Sequence, residues 1–312
     1  MTTIGSTVTA GSVQRSLRSS RVDVVGLVFE VLLLLSLLFS LAILAILLVD
    51  VGTRAMPVFE TRGMDFFTSP LSADPTRAGI VQGLFGTFMI AVLVALFAFP
   101  LGIATAVYLE EYAADSRLTQ FITVNIRNLA GVPSVVYGLL GLTIFVAALA
   151  SLGVGNGRNL LAAMLTLGVL VLPIVIITSA EALRAVPITI REAGYGVGAS
   201  RWEVTSKLVL PAAVPGILTG TVLALARALG ETAPLILIGG VIGGFSTPDG
   251  ASIIDRVSGA FTALPLTVFQ WSKQPQEEFR ALAAAAIVVL LVVTLLANAI
   301  AVILRNRYER SW

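Results

Sequence analysis

The chain of 312 residues contains no cysteine and no histidine, and lysine occurs only at Lys207 and Lys273. Without thiols or imidazoles there is no disulfide, no thiolate or imidazole metal site, no Cys or His nucleophile system and no His proton relay. Most constellations on which enzymes depend are thereby removed. Charge is scarce as well: Asp, Glu, Lys and Arg together make up 12% of the chain, against about 25% in soluble domains. What is abundant is apolar side chain, 57% of residues, with a mean hydropathy of +0.96. That balance belongs to an integral membrane protein. Net charge is only +2 and the arginines are scattered, so nothing reads as a nucleic-acid patch.

Apolar runs of about 20 residues or more, enough to cross a bilayer, are predicted at 24–49, 80–108, 128–152, 159–183, 208–241 and 281–304. The first follows a basic stretch, but it is about twice as long as a signal-peptide core and no small-residue cleavage site follows it. The expected fold class is therefore all-α, a polytopic membrane protein with six spanning helices. Pro100 and Gly102 predict a kink or a separate short segment late in the second run. Pro211, Pro215, Gly230 and Pro234 predict that the fifth is bent or broken. Residues 1–20 are polar and expected to be a flexible tail, with 21–312 forming the transmembrane domain. Two outer segments are long, 50–79 and 243–279. The second contains FTALPLTVFQWSKQPQEEF, whose aromatics suit a membrane interface and whose prolines oppose one continuous helix. A short surface helix, a reentrant element and an amphipathic loop all fit it.

Orientation follows from the basic residues near the spans. One side would carry Arg15, Arg18, Arg21, Arg117, Arg127, Arg184, Arg191, Arg201, Lys207, Arg305, Arg307 and Arg310. The other would carry Arg54, Arg62, Arg77, Arg158, Arg256, Lys273 and Arg280. The richer side is expected to be cytoplasmic and to hold both termini, as an even number of spans requires.

One segment raises a question of cost. In LALARALGETAPLILIGG, Arg227 and Glu231 stand one helical turn apart within an apolar span. A charge at mid-bilayer costs at least about 2.5–3.5 kcal/mol, so both should face protein or water. Arg before Glu is the less favourable order for an isolated helix, which makes helix stability a weak explanation. Gly216, Gly220, Ala224 and Ala228 recur every four positions beside the pair, a row that permits close approach by another helix. Two readings stand: an internal salt bridge that fixes packing, or an arginine fork offered to an oxyanion and held by Glu231 when the pathway is empty. An isolated Glu231 would repel an anion, so it must be paired, protonated or a gate. Arg184, in SAEALRAVP, either extends that route or anchors the cytoplasmic face.

Between the fourth and fifth spans lies REAGYGVGASRWEVTSKLVLP. Gly194, Gly196 and Gly198 permit tight turns, and a short helix over 199–207 would be capped by Ser200. Trp202 would then be exposed beside charges, suited either to a docking surface or to anchorage at the lipid interface.

These residues resemble a motif of the membrane subunits of ATP-binding cassette (ABC) importers: Glu-Ala-Ala, three residues, Gly, nine residues, Ile, any residue, Leu-Pro. Here Glu192, Ala193, Gly194, Gly198, Leu208, Leu210 and Pro211 stand at those intervals, with Gly194 for the second Ala and Leu208 for Ile. The resemblance implies a type I importer permease fold in which 187–207 is the coupling segment docked on an ATPase, with Glu192, Ala193, Gly198, Arg201, Trp202 and Glu203 as its contact residues. No GxxxxGK[ST] phosphate loop occurs, so the chain itself would bind no cofactor and a partner ATPase would hold ATP and Mg.

The stretches GILTGTVLALARALGETAP, EALRAVP and SKQPQEEFRALAAAA are further similar to permeases of the PstA type from phosphate-specific importers. That resemblance implies passage of inorganic phosphate past Arg227, Glu231 and Arg184, with Thr232 of GETAP beside them. It also implies a homologous second permease (PstC type), an ATPase dimer (PstB type), an extracytoplasmic binding protein (PstS type) and a place in the bacterial or archaeal plasma (inner) membrane. A permease for sulfate, molybdate or phosphonate would share the coupling motif. An ATP-independent anion transporter would leave the docking segment unexplained.

Overall fold

In lipid, the backbone N–H and C=O groups of an apolar run have no partner but each other, so such runs become helices. In the computed structural model, which describes residues 24–240 and 259–308, six helices are long and apolar enough to cross a membrane. The predicted tail 1–20 and residues 243–258 of the second outer segment lie outside the described residues.

The chain divides into two units, residues 1–50 and 51–312. The described part of the first is the Val24–Asp50 stretch of helix α1 (Val24–Arg62), a single apolar helix with no core of its own. In the second unit α1 continues to Arg62, so the segment 50–79, predicted as a loop, begins with helix over 50–62. The reason is packing: Ala55 and Val58 are buried in a cluster with Phe66, Trp271 and Phe279. Arg62 then donates to the carbonyls of Pro75 and Ala78, tying down the chain after a four-residue helix, α2 (Asp65–Thr68).

Helix α3 (Val81–Val107) continues past Pro100 without a separate short segment there and ends in a π-helical turn, Tyr108–Tyr112. Hydropathy alone does not reveal the next helix, α4 (Arg117–Ala130, RLTQFITVNIRNLA), because polar and apolar residues alternate around it and their averages cancel. Ser116 caps it by accepting the Thr119 N–H at 3.2 Å. The third span accordingly starts later than predicted, after Pro133: α5 (Ser134–Leu140), a π-turn (Gly141–Val146) and α6 (Ala147–Ser151).

Helix α7 (Leu160–Arg184) is the axis of the bundle and the most buried span. It lies parallel to α3, with Gly168 facing Phe97 and Gly102 facing Val175. Next come α8 (Ile188–Gly196), α9 (Arg201–Val204), a π-turn (Thr205–Val209), α10 (Leu210–Gly230) and α11 (Ala233–Leu237). The predicted small-residue row does bring two helices together. A Cβ on Gly216 would lie 2.7 Å from the Ala182 Cβ, and one on Gly220 would lie 2.1 Å from the Thr178 Oγ1, so α10 runs antiparallel against α7.

Helix α12 (Leu264–Ser272) carries LPLTVFQW of the second outer segment. It is neither a surface helix nor an interfacial loop: Leu264, Leu266, Thr267 and Trp271 are buried. Gly83 of α3 leaves room for its first residue and Gly86 for the preceding Thr262 and Ala263, and the Leu264 N–H donates to the Thr87 Oγ1 at 2.8 Å. The last span is α13 (Glu277–Tyr308).

Candidate functional site

The fifth span breaks where its composition predicts. Pro234 has no N–H to give the Gly230 carbonyl, so one continuous helix is barred, yet proline is tolerated in the first turn of a new one. Glu231 leaves helical geometry at φ −76° and ψ 118°, Thr232 follows as the residue before α11, and Pro234 occupies its first turn. Glu231 is thus the cap of α10 rather than a member of its face, a correction to the reading of Arg227 and Glu231 as neighbours on one helix.

The pair nevertheless meets. The Arg227 Nε donates to the Glu231 Oε1 at 3.2 Å, with the arginine side chain 41% exposed and the glutamate 17%. Arg227 stands in the last turn of α10, where the partial negative charge of the helix end favours a cation. The helix end thus favours Arg227, while Glu231, at the same negative end, is compensated by its pairing with the arginine. Among the described residues one of the five guanidinium donors is used, and the terminal amino groups meet no acceptor there. Thr232 makes no capping hydrogen bond with its side chain.

Depth in the bundle follows from the helix register. Gly216 lies against Ala182 and Gly220 against Thr178; the same antiparallel step puts Arg227 level with about residue 171, near the midpoint of α7. Across from the break, α5 packs on α11, with Gly138 against the Pro234 Cα. Tyr137, the buried neighbour of Gly138 in α5, donates its hydroxyl to the Leu129 carbonyl at 2.8 Å. Its place beside the site was not legible in the sequence, because nothing local distinguishes it from an interfacial tyrosine.

Arg184 is elsewhere. It ends α7, level with about residue 214 of α10, so it is roughly 20 Å from Arg227 at 1.5 Å per residue. It is held by two hydrogen bonds to Glu110, Nε to Oε2 at 2.8 Å and Nη2 to Oε1 at 2.6 Å. The two arginines are not brought together.

The segment 187–207 is more ordered than the tight-turn loop its glycines predict. Gly194 and Gly196 are inside α8, and only Gly198, at φ +82°, takes the left-handed conformation that turns the chain into α9. Ser200 and Glu203 form a capping box at that start, the Ser200 N–H donating to the Glu203 Oε2 at 3.1 Å. The helix begun at Arg201 is not a separate short element but flows through the π-turn into α10. Glu192, Ala193, Arg201 and Trp202 are exposed, Trp202 to 68%. The two departures from the importer motif are neighbours: a Cβ on Gly194 would lie 2.9 Å from the Leu208 Cδ1 and 2.8 Å from the Val204 Cγ2. The longer reach of Leu208 fills the space an alanine would need.

A helical bundle whose inner span breaks beside an intramembrane charge pair, and whose end carries a docked pair of helices, defines a multi-pass membrane permease. Its fold is that of type I ABC importer permeases. A bacterial ABC transporter involved in the import of the acidic polysaccharide alginate contains a chain that superimposes with a TM-score of 0.65 at 16% identity, over 91% of this chain and 96% of that one. The MetNI methionine ABC transporter in an inward-facing conformation gives a TM-score of 0.58 at 18% identity, over 74% and 96%. The chain belongs to the family described as binding-protein-dependent transport system inner membrane component, whose model matches residues 98–310.

Curated relatives include the probable ABC transporter permease protein YqgH of Bacillus subtilis, 38% identical over 58% of this chain and 60% of that protein. The phosphate transport system permease protein PstA 1 of Mycobacterium tuberculosis is 35% identical over 64% and 61%. In both, the match spans about three fifths of the relative's length. The PstA of Haemophilus influenzae is 30% identical over 84% of this chain and 87% of its own.

Proposed function

We propose that the chain is a membrane-spanning permease subunit of an ATP-driven inorganic phosphate importer in the plasma (inner) membrane of a prokaryote. The observation that carries this is Arg227, a half-exposed guanidinium at mid-bundle with one donor occupied and the rest free among the described residues. A planar, permanently charged fork is the group best matched to a phosphate oxyanion. Glu231 neutralises it in the empty state and yields to the anion, while Thr232 offers a hydroxyl beside them. Arg184 lies toward the cytoplasmic end of the route. PstA names among the relatives support phosphate over other oxyanions.

Transport would need a second, homologous permease of PstC type, a PstB-type ATPase dimer binding ATP and Mg, and a PstS-type binding protein. The surface bearing Glu192, Ala193, Gly198, Arg201, Trp202 and Glu203 docks on the ATPase, with both termini on that cytoplasmic side. ATP binding then favours the outward state because the partners bind the two states with different affinity, without which no ligand shifts the balance.

The test is ATP-driven uptake of radiolabelled phosphate by vesicles containing the assembled complex. Arg227→Gln removes a charged hydrogen-bond donor and should lower uptake at least about tenfold while leaving the ATPase bound. Trp202→Arg should release the ATPase. Normal uptake by Arg227→Gln, or competition by sulfate equal to that by phosphate, would refute the reading.

A further inference from the structure

The π-turn that ends α3 has the sequence YLEEY, and three consecutive residues in it are each met by an arginine from the segment 184–201. Glu110 accepts both hydrogen bonds of Arg184, from the end of α7. Glu111 accepts from the Arg191 Nη2 at 2.8 Å, on α8. The guanidinium of Arg201, the first residue of α9, stands 5.2 Å from the centre of the Tyr112 ring, within cation–π range. The wider π-turn, closed by the Ala113 N–H on the Tyr108 carbonyl at 2.8 Å, ends in these three side chains.

We propose that Glu110, Glu111 and Tyr112 form a clasp through which movement of the segment 187–207 and of the adjoining end of α7 is delivered to α3, as positioning residues for transport. This rests on the reading of that segment as the ATPase-facing one. Surface ion pairs are worth little and would transmit little. The central pair is different: Glu111 is 6% exposed and Arg191 20%. A buried carboxylate deprived of its partner is left uncompensated, so the pair either moves as a unit or resists separation. Arg191 also donates to the carbonyls of Leu183, at 2.9 Å, and Val186, at 2.8 Å, and so ties α8, the end of α7 and the end of α3 at one point. The Tyr112 hydroxyl is buried without a hydrogen-bond partner among the described residues, and the ring faces Arg201. The span 201–230 starts at that arginine and carries Arg227, so displacement at α8 and α9 reaches α3 and α10 together.

The experiment measures phosphate uptake and ATP hydrolysis side by side in proteoliposomes of the assembled complex, for wild type, Glu111→Gln, Glu110→Arg, Arg184→Glu and the charge exchange Glu110→Arg with Arg184→Glu. Each single variant should stay assembled with the ATPase but lose about fivefold or more in phosphate moved per ATP hydrolysed, the scale of an ordinary coupling energy. The exchange should recover most of that loss, which a pathway role for Arg184 alone would not allow. Unchanged coupling in Glu111→Gln, or an exchange variant no better than its singles, overturns the clasp. A wild-type complex without ATP-driven uptake overturns the transport reading itself, and the clasp with it.

Discussion

Gly220→Ala tests whether the small-residue row sets the position of the site. The added Cβ would lie 2.1 Å from the Thr178 Oγ1 and 2.4 Å from the Thr178 Cβ, where apolar contacts normally sit at about 3.5–4.0 Å. Rotating Thr178 does not relieve this, because its Cβ is fixed to the backbone and its hydroxyl is bonded to the Ile174 carbonyl at 2.9 Å. Helix α10 must retreat from α7 by about 1 Å or more. Overpacking of this kind costs up to about 3 kcal/mol. Alanine returns about 1 kcal/mol through its better helix propensity, for a net loss of about 2 kcal/mol. In a unit of this size that lowers Tm by about 4–8 °C. Gly230→Ala, where a Cβ meets nothing within 4 Å, is the control in the same helix and should be neutral or slightly stabilising. Thermal unfolding of the purified protein in detergent reads both. Thr178→Gly, which deletes both clashing atoms, should recover Gly220→Ala by more than its own separate effect allows. A Gly220→Ala variant as stable as the Gly230→Ala control would refute the register on which the depth of Arg227 is based.

Two predictions concern the segment 187–207. Gly198→Ala should cost about 1–2 kcal/mol through backbone strain alone, since φ is +82° and open space surrounds the position. Gly198→Asn should cost less, because asparagine tolerates that conformation; equal losses of amide protection over 188–204 in hydrogen exchange would contradict this. Ser200→Ala breaks the capping box and should weaken the start of α9 by about 0.5–2 kcal/mol, seen as faster exchange at 201–204 with little change in global Tm. Unaltered exchange there would mean that the continuous helix behind α9, not the cap, holds it.

Features whose signal is local can be read from the residues alone. Six apolar runs could only become helices in lipid. The spacing from Glu192 to Pro211 carried the importer resemblance, and the four-residue recurrence from Gly216 to Ala228 foretold a close helix contact. Pro234 after Gly230 announced the break, because a missing N–H is a property of one residue.

Tertiary structure alone decided which partners those features meet. The partner of Arg184, Glu110, is 74 residues away in sequence, and that of Arg191, Glu111, is 80 away, so neither pairing has a local signal. Helix α4 escaped notice because hydropathy averages over a two-faced helix, and α12 because burial among Gly83, Gly86 and Thr87 comes from another span. The exposed surface around Trp202 and the depth of Arg227 likewise depend on how α8, α9 and α10 dock. A linear pattern records what each segment can form, whereas the compensation of a buried charge and the fit of a glycine are properties of two segments at once.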